Sequence, residues 1–338
     1  MNGSDLFALP VPESDLARLE ACLRESVLGD DAFLNEVASH LITAGGKRLR
    51  PALTLTAAEL SGAAITRESL LGGVSVELVH LASLYHDDVM DEAVRRRTVE
   101  SVNARWGNLV AIVAGDFLLA RSAEIAASLG PEIAGLLAST LARLCQGQVS
   151  EVRSAFSLER DEQDYLETIA DKTAALMATA CRIGGLTAGL DRRRIDDLTC
   201  FGEAFGMVFQ IRDDVLDVIA TEEDLGKPPG QDLVEGTYTL PVQRALADGE
   251  VAGALRDLLG RPLDDDEREV ARALVASSEG IPAAAVVARQ YADAAIEAAH
   301  RLDNGAISER LARLAEDVAI DLGQAAAGAR ARFERLAG

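Results

Sequence analysis

Two short acidic stretches have the composition and spacing to hold a metal ion. In "HDDVMDEAVRRR", His86 to Arg97, the acids Asp87, Asp88 and Asp91 precede three arginines, and "DDVLD" (Asp213, Asp214, Asp217) repeats the spelling 126 positions later. Asp87 and Asp91 are four residues apart, which on a helix puts both carboxylates on one face, about one turn from each other. Like charges at that spacing destabilise a helix. A hard divalent cation resolves the conflict, because Mg²⁺ takes oxygen ligands and is usually held by one or two carboxylates together with substrate phosphates. A single such cluster reads equally well as a solvated helix end. Its recurrence, each time after an apolar helical run, favours a metal site. If the two helices face each other, their carboxylates wall a cluster of metal ions.

The cations stand where an anion could use them. "GGKRLRP" (Gly45 to Pro51) combines a permissive turn, three cations and a helix start, which suits a diphosphate through charge and free N–H groups, although solvated cations at a helix N-terminus read the same way. Arg96 and Arg97 follow the first acid cluster, Lys172 lies in "DKTAA", and Lys227 lies in a Gly- and Pro-rich segment. Gln210, three residues before Asp213, and His80, seven before Asp87, share the faces of those acids. A histidine on an apolar helix is more often a satisfied core residue than a ligand.

Helices must position these groups. The chain has 338 residues, 49% of them apolar but only 4% aromatic, and the abundant Ala and Leu favour packed helices over sheet. The expected architecture is all-α: a loose arm over residues 1–13, then a single helical domain over 14–338. Gly45-Gly46 should split two helices, and Thr221 to Pro241, which contains "GKPPG", should form one long loop, of a length that is usually functional or disordered. A net charge of −22 argues against a nucleic-acid partner. The four cysteines show no metal or disulfide spacing and are expected to be buried small apolar residues in a reducing compartment. No uncharged apolar run approaches the ~20 residues of a membrane span, and the start shows no signal-peptide pattern, so a cytoplasmic protein is expected, with at most transient membrane contact for a lipid product.

Six motifs in order, "GGKRLRP", "HDDVMDEAVRRR", "GDFLLA", "DKTAAL", "FQIRDDVLD" and "GKPPGQDLVEGTYTLP", give the chain its resemblance to the trans-type polyprenyl diphosphate synthases. The resemblance covers about Gly45 to Pro241. It implies a single-domain prenyl synthase helical bundle around a deep central cavity, usually as a homodimer. It implies Mg²⁺, three ions per site, with Asp87, Asp91 and Asp213 as direct ligands and Asp88, Asp214 and Asp217 behind them. Lys47, Arg50, His80 and Arg97 match the isopentenyl diphosphate seat; Arg96, Lys172, Thr173, Gln210 and Lys227 match the allylic diphosphate contacts. Asp87, Asp91, Lys172, Asp213 and Lys227 would carry the catalysis. The reaction that the resemblance implies is ionisation of the allylic C–O bond, attack by the alkene of isopentenyl diphosphate, and proton loss to the released diphosphate. One departure is Thr237, where many relatives carry a lysine.

Product length should depend on what lies beneath the first acid motif. Positions four and five before Asp87 sit roughly 6 to 8 Å deeper along a helix. They are Ser83 and Ala82, both small, which predicts a long all-trans chain; a geranylgeranyl product is the alternative. A class I terpene cyclase would need no "GGKRLRP" seat, and a non-catalytic subunit of a heteromeric synthase would be expected to lose an acid motif.

Overall fold

The computed structural model describes residues 11–96, 99–225 and 228–337. In chain order the helices are α1 (Glu13–Ser26), α2 (Ala32–Thr43), α3 (Leu49–Ala58), α4 (Arg67–Met90), α5 (Val102–Trp106), α6 (Asn108–Ser128), α7 (Pro131–Ser154), α8 (Glu162–Ile169) and α9 (Ala175–Thr187). Then follow α10 (Arg192–Ile219), α11 (Glu222–Leu225), α12 (Gln231–Glu235), α13 (Leu240–Leu246), α14 (Ala252–Leu258), α15 (Asp265–Ser277), α16 (Gly280–His300) and α17 (Gly305–Ala337). The expected all-α class holds, apart from a two-residue antiparallel pairing of β1 (Arg95–Arg96) with β2 (Val99–Glu100). No single helix among the described residues is long and apolar enough to cross a membrane.

Local chemistry sets many of these boundaries. Asp31 accepts the N–H groups of Phe33 and Leu34 to open α2, Thr66 accepts that of Ser69 to open α4, and Asp161 accepts that of Asp164 to open α8. Asp264 and Glu267 exchange both bonds of a capping box at α15. The split at Gly45-Gly46 is where the sequence puts it. The expected loop from Thr221 to Pro241 instead contains α11 and α12; of the expected arm, residues 11–13 are described, and Glu13 already opens α1.

Contacts divide the chain into two compact units, a partition that uniform composition does not announce. The first comprises residues 1–142, 176–199 and 301–310; the second comprises 143–175, 200–300 and 311–338. In the first unit α4 is buried on most of its length and packs on α1, α3 and α6. Small residues allow the close approach: a Cβ on Gly184 of α9 would lie 2.2 Å from the Thr54 carbonyl oxygen of α3, and one on Gly72 of α4 would lie 2.6 Å from Ile183. The second unit packs Tyr165, Ile211, Val215, Val242, Val275 and Ala288 into one core. There the buried Arg272 of α15 donates to the carbonyls of Val218 (2.9 Å) and Ala220 (2.8 Å), satisfying carbonyls at the C-terminal end of α10.

Because backbone rather than a flexible side chain faces Gly184, Gly184→Ala should destabilise the fold by about 1–3 kcal/mol. Chemical denaturation of the two proteins reads this directly; equal midpoints would mean that α3 and α9 part without cost.

Candidate active site

In the first unit, the first acid motif closes α4. Asp87 lies in the last turn, half-buried, and the N–H of the exposed Asp91 donates to the Asp87 carbonyl at 2.8 Å, so helical geometry carries both carboxylates as their spacing predicts. Asp88 is different. It is fully buried, and its Oδ1 accepts from Arg96 Nε (2.7 Å) and Nη2 (2.5 Å). Asp88 Oδ2 is also buried and has no hydrogen-bond partner among the described residues. Burial pushes this carboxyl above the usual carboxylate range, against the pull of Arg96. Asn103 Nδ2 donates to the carbonyls of Asp88 (2.9 Å) and Ala93 (3.1 Å), tying the helix end to the turn that follows. Arg96, expected on an allylic diphosphate, is engaged by Asp88 in this conformation; Arg97 lies outside the described residues.

The "GGKRLRP" turn joins α2 to α3 through Gly45 (φ +84°) and Arg48 (φ +47°), both left-handed. Lys47 is exposed and Arg50 half-buried. The third cation of the motif turns inward. Arg48 is buried and donates to Glu20 Oε1 (2.5 Å), Glu77 Oε1 (2.9 Å) and the Ile42 carbonyl (3.1 Å). Glu77 stands on α4 three residues before His80, so Arg48 fastens the turn carrying Lys47 and Arg50 to the helix carrying His80, Asp87 and Asp91.

Sequence reasoning passed over His86. A Cβ on Gly115 would lie 2.3 Å from its Nε2, which also faces the Ile112 carbonyl at 3.2 Å and Asp116 at 3.6 Å. The glycine of "GDFLLA" is therefore room for the residue beside Asp87, a signal the motif held without its meaning being visible. Ser83 is half-buried on the Asp87 face, and its hydroxyl donates to the His80 carbonyl at 2.8 Å. Ala82 is fully buried, so it presents no surface to a tunnel. Five residues from Asp87 is about 140° around a helix, which turns Ala82 into the packed side of α4. The expectation of buried cysteines needs correction too: Cys181 is buried, but Cys145 and Cys200 are exposed because each falls on the outward side of its helix.

In the second unit, Asp213 on α10 is largely accessible, with Arg212 Nη1 at 3.5 Å. Arg212 itself is buried and turned to Asp321 of α17, at 2.6 Å. Asp214 is buried; Tyr165 O–H donates to its Oδ2 at 2.5 Å and Gln210 Nε2 to its Oδ1 at 2.7 Å. Burial lifts its carboxyl to about 7. Asp217, also buried, accepts the Asp232 N–H on Oδ2 (3.2 Å) and the Gly230 N–H on its carbonyl (2.7 Å), anchoring the segment that follows Lys227. Lys227 lies outside the described residues.

Lys172 and Thr173 sit on a π-turn, Ala170–Ala174, between α8 and α9. Two glycines make the wide turn fit: a Cβ on Gly147 would lie 2.8 Å from the Lys172 nitrogen, and one on Gly206 would lie 2.5 Å from Ala174 Cα. Lys172 Nζ pairs with Glu151, and Thr173 Oγ1 donates to Gln210 Oε1 at 2.7 Å. Among the described residues no three His, Cys, Asp or Glu side chains come close enough to hold a metal by themselves. Any ion at these carboxylates needs ligands from water or an anionic substrate.

The model of the polyprenyl synthetase family matches residues 31–276. The chain is 39% identical over 292 residues to nonaprenyl diphosphate synthase of Mycobacterium tuberculosis, covering 86% of this chain and 87% of that protein. It is 38% identical over 311 residues to heptaprenyl diphosphate synthase component 2 of Geobacillus stearothermophilus, covering 92% and 95%. Among solved structures it resembles a polyprenyl synthase from Caulobacter crescentus complexed with calcium and isoprenyl diphosphate, with TM-score 0.87, 32% identity and coverage of 94% and 98%.

Replacing Arg48 with Ala removes the cation facing the buried Glu77 and should cost about 3–5 kcal/mol of stability. Thermal denaturation tests this. A variant as stable as the parent would show that Lys47 and Arg50 are held by other means.

Proposed function

The chain belongs to the polyprenyl synthetase family, and from that premise we propose that it condenses isopentenyl diphosphate head-to-tail with an allylic diphosphate, giving a long all-trans polyprenyl diphosphate. It is a prenyltransferase. The observation that carries the division of labour is a pattern common to both acid motifs. In each, the first aspartate is accessible and the second is buried against a protein donor: Asp87 beside Asp88–Arg96, and Asp213 beside Asp214–Tyr165. Accessible carboxylates can be reached by an ion with its water and phosphate ligands, whereas buried ones hold the helix end that presents them.

We assign Asp87, Asp91 and Asp213 as the direct ligands of Mg²⁺, three ions per site. The donor set fits such an ion, being hard carboxylate oxygens with room for water and phosphate. The buried Asp88 Oδ2 fits as well, since a metal-bound water would supply the donor it lacks. When bound, Mg²⁺ neutralises charge growing on the departing diphosphate. The chain's own groups do the rest. Lys172 and Lys227, with Arg96 once it is drawn from Asp88, bind the allylic diphosphate, and Thr173 and Gln210 orient it. Lys47, Arg50, His80 and Arg97 hold isopentenyl diphosphate so that its alkene faces the allylic carbon. The allylic C–O bond breaks, the new C–C bond forms, and the proton leaves to the released diphosphate.

The long product rests on Ser83, the small accessible residue one turn before Asp87, and agrees with the nonaprenyl and heptaprenyl relatives better than a geranylgeranyl product does. A homodimer is supported by α6, which exposes Leu109 (76%) and Val113 (53%). The reaction would take place in the cytoplasm, with transient membrane contact as the product leaves.

Purified chain given farnesyl diphosphate, isopentenyl diphosphate and Mg²⁺ should yield products longer than C20, and chelation should abolish turnover. Activity appearing only when a second, different protein is added would instead give this chain the role that the name "component 2" gives its relative. Asp87→Asn should lower kcat about 100-fold or more, beyond the usual cost of losing an outer partner of a ligand. Ser83→Phe should shorten the product on the chromatogram; an unchanged length would remove Ser83 from the tail's path.

A further inference from the structure

Tyr165 belongs to neither acid motif nor to any cation motif of the sequence. Its side chain is nonetheless buried, 1% exposed, with the phenol O–H donating to Asp214 Oδ2 at 2.5 Å and the Arg160 guanidinium 5.8 Å from the ring centroid. The other Asp214 oxygen accepts from Gln210 Nε2 at 2.7 Å. Both oxygens are thus occupied by protein donors, and Asp214 points into the fold, not toward a ligand.

What the bond connects gives it significance. Tyr165 lies on α8, which runs straight into the π-turn bearing Lys172 and Thr173. Asp214 lies on α10, which bears Gln210 and Asp213. Two ties therefore join the segment with the diphosphate cation to the helix with the metal carboxylate: Thr173 to Gln210 at 2.7 Å and Tyr165 to Asp214. Gln210 belongs to both, since its carbonyl accepts from Thr173 while its amide donates to Asp214. With the phenol removed, Asp214 would keep Gln210 alone and could turn, and Asp213 and the Gln210 amide would lose their fixed direction.

We propose that Tyr165 is a positioning residue for divalent-ion and allylic diphosphate binding, holding Asp214 so that Asp213, Gln210 and Thr173 keep one arrangement. The proposal rests on the assignment of Asp213 as a ligand. It differs from a packing role, for which phenylalanine would serve as well as tyrosine.

The test titrates Mg²⁺ into full-length protein at fixed inorganic diphosphate, followed by thermal shift and calorimetry, in wild type, Tyr165→Phe, Asp214→Asn and the core control Val275→Ala. Tyr165→Phe and Asp214→Asn should each raise the Mg²⁺ midpoint about tenfold, while Val275→Ala lowers Tm with the midpoint unchanged. In turnover, Tyr165→Phe should raise KM for the allylic substrate and leave KM for isopentenyl diphosphate near its wild-type value. A folded Tyr165→Phe protein with the wild-type Mg²⁺ midpoint overturns the proposal, whatever its Tm; if that variant does not fold, an unchanged midpoint in Asp214→Asn does the same. A wild-type chain without turnover would overturn the proposed reaction only, because the Mg²⁺ titration needs none.

Discussion

A carboxylate taken out of water must be given partners, and this chain buries one at the heart of each acid motif. Moving an isolated charge inside costs several kcal/mol even after relaxation, and the loss is offset only by well-placed donors. Asp88 meets that demand with Arg96 and Asp214 with Tyr165 and Gln210. Each anchor does more than stabilise its own residue. It fixes the last turns of a helix whose neighbouring carboxylate, one residue away, faces outward. The crowding of like charge that makes the sequence conspicuous is thereby divided into a buried half and an accessible half.

The same logic reaches the cations. Arg48 is spent on Glu20 and Glu77, and in exchange the Gly45–Arg48 turn has a fixed place relative to α4. Lys172 and Thr173 are presented by a π-turn that persists because Gly147 and Gly206 leave space on either side. In both cases a backbone shape that ordinary packing would disfavour is imposed by neighbours. Close approach is not confined to these groups, since Gly184 meets the Thr54 carbonyl in the packing of α9 on α3.

What could be read from the sequence follows from which forces are local. The spacing of Asp87 and Asp91, the helix break at Gly45-Gly46 and the all-α class are consequences of periodicity and of residue conformational preference, which a linear reading captures. The burial of Arg48 depends on partners tens of residues away, Glu20 and Glu77, and that of Ala82 and Asp88 on which face of α4 is packed. Exposed Cys145 and Cys200 show the limit of composition, since a small apolar residue goes wherever its helix face points. Tyr165 carried no signal, because a single tyrosine before "DKTAAL" resembles any core aromatic until Asp214 is seen beneath it. The two units escaped notice for a related reason: three long helices, α7, α10 and α17, contribute to both, and their composition does not change where they pass from one to the other.

The most instructive case is the pair of motifs spelled alike. Both read Asp-Asp-Val-x-Asp, yet the third acid has opposite fates. Helix α4 ends at Met90, so Asp91 stands at its terminus, exposed, one turn above Asp87. Helix α10 continues to Ile219, so Asp217 remains inside a helix packed on the core, where its carboxylate and carbonyl accept the N–H groups of Asp232 and Gly230. The first motif therefore leaves two of its carboxylates accessible, Asp87 and Asp91, and the second leaves one, Asp213. Asp217 instead gives Oδ2 and its carbonyl to the segment after Lys227, which ties that segment to the helix that carries Asp213. Identical letters leave the third acid exposed in one place and buried as an anchor in the other, and the difference is set by where the helix stops.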